Sequence, residues 1–262
     1  MDLGLKGRRA LVMGASKGLG RSVAEALAAE GVHLVISGRS QPSLEEVAAA
    51  LRALGAASAT GVAADVAELA DMDRLAAAAF SAMGGVDILV LNHGGPPPGT
   101  ALELDEGLLA PWFRRIVESP IRMVKALLPG MRAQRFGRII SIASTGLQQP
   151  IPNLVLSNTL RAALMGYLKT LSAEVAAEGV TVNMVAPGAI RTDRSLETAA
   201  SLAAKTGKSV EEVIAERARS IPAGRYGEPA EFGPMVAFLC GAHASYITGE
   251  IIRIDGGIVR GF

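Results

Sequence analysis

Gly14-Ala15-Ser16-Lys17-Gly18-Leu19-Gly20 separates a short apolar run, residues 9–13, from a segment with helical periodicity, residues 20–30. Glycines between a strand and a helix let the backbone turn tightly and approach a ligand closely. The free N–H groups and the dipole at the start of such a helix favour a phosphate group. The spacing predicts a strand, a pyrophosphate-binding loop and a helix, with loop contacts from Gly14, Ser16, Lys17, Gly18, Leu19 and Gly20.

The same alternation of strand and helix continues along the chain. A third strand is expected before Asp65, and further strands are expected at residues 33–37, 87–91, 138–142, 180–185 and 251–254. Because these runs lack polar alternation, they predict parallel strands buried on both faces and joined by right-handed crossovers. The predicted fold is α/β, a Rossmann-type doubly wound parallel sheet of about seven strands, in a single domain spanning residues 1–262.

Helices are expected between these strands, at residues 43–54, 68–83 and 155–178 among others. Ser43 and Ser209 each precede a glutamate by three residues, which is the capping-box pattern at the start of a helix. Residues 191–222 interrupt the rhythm with polar helical sequence. We expect a lid-like insert over the cleft there, and the alternative is a surface excursion.

Composition excludes several classes of partner. Half of the 262 residues are apolar, and 26 basic residues nearly balance 25 acidic ones, so neither nucleic acid nor an anionic membrane is indicated. The first residues lack the pattern of a signal peptide, and no apolar run approaches the ~20 residues of a membrane span. We expect a small-molecule ligand, a cytoplasmic location and no metal site. We also expect Cys240 to be an inert thiol in the core.

The residue after the second predicted strand favours NADP(H) over NAD(H). NAD-selective sites of this type carry an acidic residue there, whereas residues 37–40 are Ser-Gly-Arg-Ser and contribute Arg39. Arg39 and Lys17 can pair with a 2′-phosphate through charge-assisted hydrogen bonds. Asp65 is a candidate acceptor for the adenine amino group, or else it only caps the helix that follows.

Further motifs accompany the glycine loop: Leu91-Asn92-His93-Gly94, Ala186-Pro187-Gly188 followed by Thr192, and Asp255-Gly256-Gly257. Together they resemble the short-chain dehydrogenase/reductase family, in particular the β-ketoacyl-acyl-carrier-protein reductases. The resemblance implies an NADP(H)-dependent oxidoreductase that forms a homotetramer or homodimer through long helices at residues 112–134 and 155–178. It also implies cofactor contacts from Val66, Asn92 at the adenosine ribose, Gly94, Arg161 and Pro187, and from Gly188, Ile190 and Thr192 at the nicotinamide amide.

The catalytic tetrad of that family, Asn-Ser-Tyr-Lys, is matched at one position only. Ser144 aligns with the catalytic serine, whereas Ser157 takes the tyrosine position, Arg161 the lysine position and Ile116 the asparagine position. A serine hydroxyl is a far weaker acid than a tyrosine phenol, and an arginine stays protonated. Ser144, Ser157 and Arg161 are therefore candidate catalytic residues that polarise an oxygen, with Arg161 also binding the nicotinamide ribose.

His93 is an alternative proton donor, since an unperturbed imidazole has a pKa near ~6.5. The other interpretation is a loop histidine that faces the adenosine side. Proline-rich residues 94–99 and residues 152–158 resemble a ketoacyl-reductase-like branch with an imperfect tetrad.

Three function hypotheses follow. The first is hydride transfer to a carbonyl of the 3-oxoacyl type or, alternatively, to an enoyl group. The second is a catalytically impaired NADP-binding protein. A third, a lyase similar to halohydrin dehalogenases, is disfavoured because those proteins keep the tyrosine and lose the glycine loop.

Overall fold

Seven parallel strands form one sheet in the computed structural model, which describes residues 1–261. The strands are β1 Arg9–Val12, β2 His33–Gly38, β3 Ser58–Ala63, β4 Ile88–Leu91, β5 Gly137–Ile142, β6 Val180–Pro187 and β7 Ile251–Ile254. Their spatial order is β3-β2-β1-β4-β5-β6-β7. This confirms the predicted doubly wound Rossmann-type sheet.

Helices cover both faces of the sheet. They are α1 Gly18–Ala29, α2 Gln41–Ala53, α3 Leu69–Met83, α4 Leu109–Phe113, α5 Ser119–Ala133, α6 Val155–Val175, α7 Asp193–Thr206, α8 Val210–Arg219 and α9 Pro229–Cys240. One buried apolar cluster packs the sheet against α1, α2 and α9, and the other packs it against α3, α5 and α6.

The order of the strands reverses direction between β1 and β4. These neighbours pair in parallel, with Val12 opposite Val90, so the loops after them leave the same edge of the sheet. Ligands of such sheets bind at this switch point, outside the carboxyl ends of the strands. The glycine loop follows β1 and Asn92 follows β4, which brings both predicted elements to that edge.

The start of α2 differs from the prediction. Ser40, not Ser43, is the N-cap, and its hydroxyl lies 3.5 Å from the Ser43 amide nitrogen. Pro42 explains the earlier start, because proline favours the first turn of a helix, where its missing N–H is not needed. The box at Ser209 is confirmed, with Ser209 and Glu212 capping each other at the start of α8.

The long helix predicted at residues 112–134 is divided in three. α4 is followed by a π-helical turn, Arg114–Glu118, and then by α5. Pro120 lacks the N–H that would bond to the carbonyl of Ile116, so a regular helix cannot pass this point without a defect. Ile116 itself is fully buried in the core within that turn.

The remaining expectations concern single features. Cys240 is buried, as expected of a core thiol, and burial raises its pKa to about 12. Within residues 1–261, no helix is long and apolar enough to cross a membrane, and no cluster of metal-ligating side chains occurs. The segment 191–222 contains α7 and α8, which pack on each other through Ala199, Ala203 and Val213.

Candidate functional site

The glycine loop has the backbone that its sequence predicts. Gly14 and Gly18 have φ angles of 58° and 61°, in the left-handed region that favours glycine. A side chain at Gly20 is excluded, since a Cβ there would lie 2.3 Å from the carbonyl oxygen of Gly14. The compact conformation of the loop therefore depends on glycine at these three positions.

The start of α1 is left without a protein cap. Lys17 occupies the N-cap position without a capping side chain, and the first turn contains no acidic residue. The first N–H groups of a helix have no partner inside the helix, so they can bind an anion. A cofactor pyrophosphate fits this arrangement of donors and glycines.

Neighbouring strands hold the loop in place. The Asn92 side-chain amide donates to the carbonyl oxygen of Gly14 at 3.0 Å, which ties the end of β4 to the loop. The Ala15 N–H donates to the carbonyl oxygen of Ser37 at 2.8 Å, at the end of β2. Arg39 follows that strand with an exposed side chain, on the same edge as Ser16 and Lys17. The residues predicted for the adenosine half of the cofactor are thus brought together.

Asp65 and Val66 lie in the connection after β3. The Asp65 carboxylate accepts from the Ala67 N–H at 2.9 Å, and Glu68 rather than Asp65 is the N-cap of α3. The carbonyl oxygen of Val66 accepts from Ser119 Oγ at 2.6 Å. Asp65 therefore stabilises a turn, not the helix end that was its alternative role, and its role toward adenine stays a prediction.

The segment after β6 returns to the same edge. A Cβ at Gly188 would lie 2.6 Å from Asp255 Cα, so this position needs glycine where β6 passes β7. Ile190 is buried and pairs with Gly227. Thr192 caps α7, with its hydroxyl 3.3 Å from the Ser195 amide nitrogen.

The three predicted catalytic residues meet at the carboxyl end of β5. Ser144 follows this strand, and its Oγ accepts from the Gly146 N–H at 3.0 Å. On α6, Arg161 Nε donates to Ser157 Oγ at 3.3 Å, and Arg161 Nη1 donates to the carbonyl oxygen of Ile142 at 2.9 Å. Arg161 thereby connects Ser157 to the backbone two residues before Ser144.

The charge at this centre is positive. Within residues 1–261, no carboxylate forms an ion pair with Arg161. Burial lowers the pKa of its guanidinium to about 10, so the group is still protonated at neutral pH. Each hydroxyl oxygen accepts one hydrogen bond, and among the described residues neither hydroxyl donates to a protein acceptor, so both hydroxyl hydrogens can be donated outward.

His93 is corrected as a candidate proton donor. Burial and the Arg161 charge lower the pKa of its imidazole to about 3, so the ring is neutral at physiological pH. Nδ1 lies 2.9 Å from the carbonyl oxygen of Gly94, which assigns the proton to Nδ1. Among the described residues, the buried Nε2 has no hydrogen-bond partner, so it offers an acceptor and no proton.

Sequence reasoning missed what surrounds Lys17. Its ammonium lies 3.8 Å from Asp193 Oδ2 and 3.6 Å from Glu197 Oε1, both on α7. Arg194, between them in sequence, has Nη2 3.5 Å from the carbonyl oxygen of Pro96. The only signal in the sequence was the polar helical segment that begins at residue 191.

Comparison with known proteins identifies the family. A family model described as "Enoyl-(Acyl carrier protein) reductase" matches residues 14–259. The chain is also 35% identical over 254 residues to dehydrogenase/reductase SDR family member 4 of Sus scrofa, covering 97% of this chain and 88% of that protein. The chain belongs to the short-chain dehydrogenase/reductase family.

Two further proteins that this chain is similar to are reductases. The 3-oxoacyl-[acyl-carrier-protein] reductase FabG of Vibrio cholerae is 33% identical over 256 residues, covering 98% of this chain and 99% of that protein. The L-sorbose reductase of Gluconobacter frateurii, solved in complex with NADPH and L-sorbose, superposes with a TM-score of 0.95 at 33% identity and covers 100% of both chains. The chain is thus a member of this family that is similar to ketoacyl reductases and to a reductase solved with NADPH.

Proposed function

We propose that this chain is an NADP(H)-dependent oxidoreductase acting on a carbonyl or alcohol substrate of the 3-oxoacyl type. In this proposal Ser157 and Arg161 replace the family's tyrosine and lysine. The carrying observation is the group of Ser144, Ser157 and Arg161 at the carboxyl end of β5, on the same edge of the sheet as the glycine loop. It supplies two hydroxyl donors and one fixed positive charge.

The cofactor would be held by groups on several loops. The backbone of residues 14–20 and the start of α1 fit the pyrophosphate, as their geometry supports. Arg39 and Lys17 fit the 2′-phosphate of NADP(H), which is why we propose this cofactor. The other residues proposed to contact it are Asp65, Val66, Asn92, Gly94, Arg161, Pro187, Gly188, Ile190 and Thr192.

The protein's own contribution to the reaction is electrostatic. A bound nicotinamide cofactor supplies a hydride, and negative charge then develops on the substrate oxygen. Ser144 and Ser157 can each donate a hydrogen bond to that oxygen, because among the described residues neither hydroxyl hydrogen has a protein acceptor. Arg161 adds a positive charge, and burial strengthens the attraction between this charge and the substrate oxygen. The final proton comes from water, since neither serine nor neutral His93 is a competent acid at pH 7.

This absence of an acid also favours a second candidate, reduction of a conjugated enoyl group. Hydride addition to an enoyl group leaves an enolate, whose charge is shared between the oxygen and the α-carbon. Its oxygen is therefore less basic than the alkoxide oxygen left by a simple ketone, and the final proton goes to carbon. Two hydroxyl donors and a cation, without a proton donor, are therefore more nearly sufficient for enoyl reduction than for ketone reduction. A catalytically impaired NADP-binding protein is the remaining alternative.

NADPH oxidation by the wild type and by Ser144→Ala, with matched 3-oxoacyl and enoyl thioesters, tests the proposal. We expect Ser144→Ala to lower kcat by about 10²–10³-fold while NADPH binding is kept, since the hydroxyl acts mainly on the developing charge. Ser172→Ala, a buried serine far along α6 whose hydroxyl bonds to the Lys169 carbonyl, is the matched control.

The outcomes separate the alternatives. Faster turnover of the enoyl thioester favours the second candidate. Tight NADPH binding without turnover of any substrate supports the non-catalytic alternative. Activity that survives Ser144→Ala unchanged contradicts the assignment of the site.

A further inference from the structure

The first turn of α7 lies directly against the glycine loop. A Cβ built at Gly18 would be 3.8 Å from the Cβ of Thr192, the residue that caps α7. Asp193 is the first residue of that helix and Glu197 lies one turn later, so both side chains share one face. That face is turned toward Lys17, which lies within 4 Å of both carboxylates.

Lys17 has two possible anionic partners. It is the N-cap of α1, so its side chain starts beside the free N–H groups that fit a phosphate. All three side chains are more than half exposed, at 63% for Lys17, 65% for Asp193 and 62% for Glu197, so each can move. One ammonium cannot form close ion pairs with both carboxylates and a phosphate without bringing these anions together.

We propose that Asp193 and Glu197 set the affinity for the cofactor by competing with its phosphates for Lys17. The inference rests on the cofactor site proposed above and adds two determinants of cofactor affinity on α7. Without cofactor, the two carboxylates hold Lys17 against α7. With cofactor bound, Lys17 turns to the phosphate and the two ion pairs to α7 are broken.

Two neighbouring cations have other partners. Arg191 pairs with Glu228 at 3.3 Å, and Arg194 Nη2 lies 3.5 Å from the carbonyl oxygen of Pro96, in the loop after β4. Among the described residues, Asp193 and Glu197 are the carboxylates within 4 Å of Lys17. The competition is therefore assigned to these two groups.

A double-mutant cycle measured by calorimetric titration with NADPH tests this inference. We expect D193N/E197Q to tighten NADPH binding by about threefold to tenfold, which corresponds to the loss of two exposed ion pairs. In the Lys17→Met background, the same two substitutions are expected to leave the Kd unchanged. Titration with NADH separates the two phosphate sources, since NADH carries the pyrophosphate but no 2′-phosphate.

Controls separate competition from simple repulsion. E211Q/E216Q removes the same amount of charge from the neighbouring helix α8, where Glu216 pairs with Lys208, and is expected to leave the Kd unchanged. An equal gain in affinity in both Lys17 backgrounds means direct repulsion and overturns the inference. Unchanged or weaker binding by D193N/E197Q, with the helix content of the wild type in circular dichroism, also overturns it.

Failure of the proposed cofactor preference is recognised separately. Arg39→Ala is expected to weaken NADPH binding by about 10-fold to 150-fold and NADH binding hardly at all. Equal weakening of both cofactors contradicts the NADP(H) preference. The double-mutant cycle between Lys17 and the two carboxylates can then still be measured by titration with NADH, because NADH carries the pyrophosphate.

Discussion

His93 shows how packing changes the chemistry of one residue. In the sequence it is an imidazole beside the cofactor loop, with a pKa expected near ~6.5. In the folded chain, it is 9% exposed and lies near the Arg161 charge, and its pKa falls to about 3. Burial in the fold and the charge of Arg161 on α6 cause this shift, so no local pattern could predict it.

The shifted pKa predicts a loss of stability in mild acid. The unfolded chain takes up a proton below about pH 6.5, whereas folded His93 does not until about pH 3. The contribution of His93 is therefore complete above pH 6.5 and is lost as the pH falls. Between pH 6.5 and 5, we expect the free energy of unfolding to fall by about 2 kcal/mol more in the wild type than in His93→Gln.

Urea denaturation at a series of pH values measures this difference. His243→Gln replaces a histidine whose Nε2 lies 2.9 Å from the Asp2 carbonyl on the surface, and it is expected to follow the wild type. Parallel pH profiles for the wild type and His93→Gln contradict the depressed pKa of His93.

Residue identity predicted part of the site. The glycines and Arg39 were predicted from the spacing of the sequence. The roles of Asn92, Ser144, Ser157 and Arg161 were implied by the family resemblance, and they stay predictions. The sequence could not show that Lys17 faces Asp193 and Glu197, since residues about 180 positions apart in the chain meet only through the fold.

At the scale of elements, strands were predicted better than helix ends. Apolar runs predicted six strands within a residue or two, whereas β3 contains Thr60 and Gly61 and was only inferred to precede Asp65. The interruption before α5 depends on Pro120, whose effect lies one turn earlier, in the π-helical turn. Helix periodicity alone does not detect such a defect, because the apolar face continues through it.

One hydrogen-bonded junction of polar side chains joins three elements at the amino ends of the strands. Asp87, 3% exposed, accepts from Arg9 Nε at 3.0 Å and from Gln134 Nε2 at 2.7 Å. It thus ties β1 to the start of β4 and to the end of α5. The hydrogen bonds from Arg9 and Gln134 outweigh desolvation and lower the pKa of Asp87.

Breaking this junction is expected to destabilise the whole fold. Asp87→Ala leaves Arg9 and Gln134 without their shared acceptor, and we expect a loss of about 3 kcal/mol in the free energy of unfolding. Urea denaturation at pH 7 measures it. Asp73→Ala removes the partner of Arg122 in an exposed pair, and its midpoint is expected to stay close to that of the wild type. Equal midpoints for both variants contradict a structural role for the junction.

At the scale of the whole molecule, the site is built from distant parts of one chain. The proposed cofactor residues lie on loops after β1, β2, β3, β4 and β6, and on α6. Strands β1, β2, β4, β5 and β6 each contribute residues to both apolar clusters on the faces of the sheet. The homotetramer or homodimer that the family resemblance implies stays a prediction, as does the cytoplasmic location.

A ligand that contacts so many segments should stabilise the fold as a unit. At 100 times its Kd, NADPH is expected to add about 2.7 kcal/mol to the free energy of unfolding. For a chain of this length, that corresponds to a rise of roughly 5–10 °C in Tm. Hydrogen exchange should slow in the glycine loop and also in residues 187–192 and at the start of α6, because these belong to the same site. Protection confined to β1, β2 and the glycine loop would mean that only the adenosine half is held, and 2′,5′-ADP would then produce the same rise in Tm.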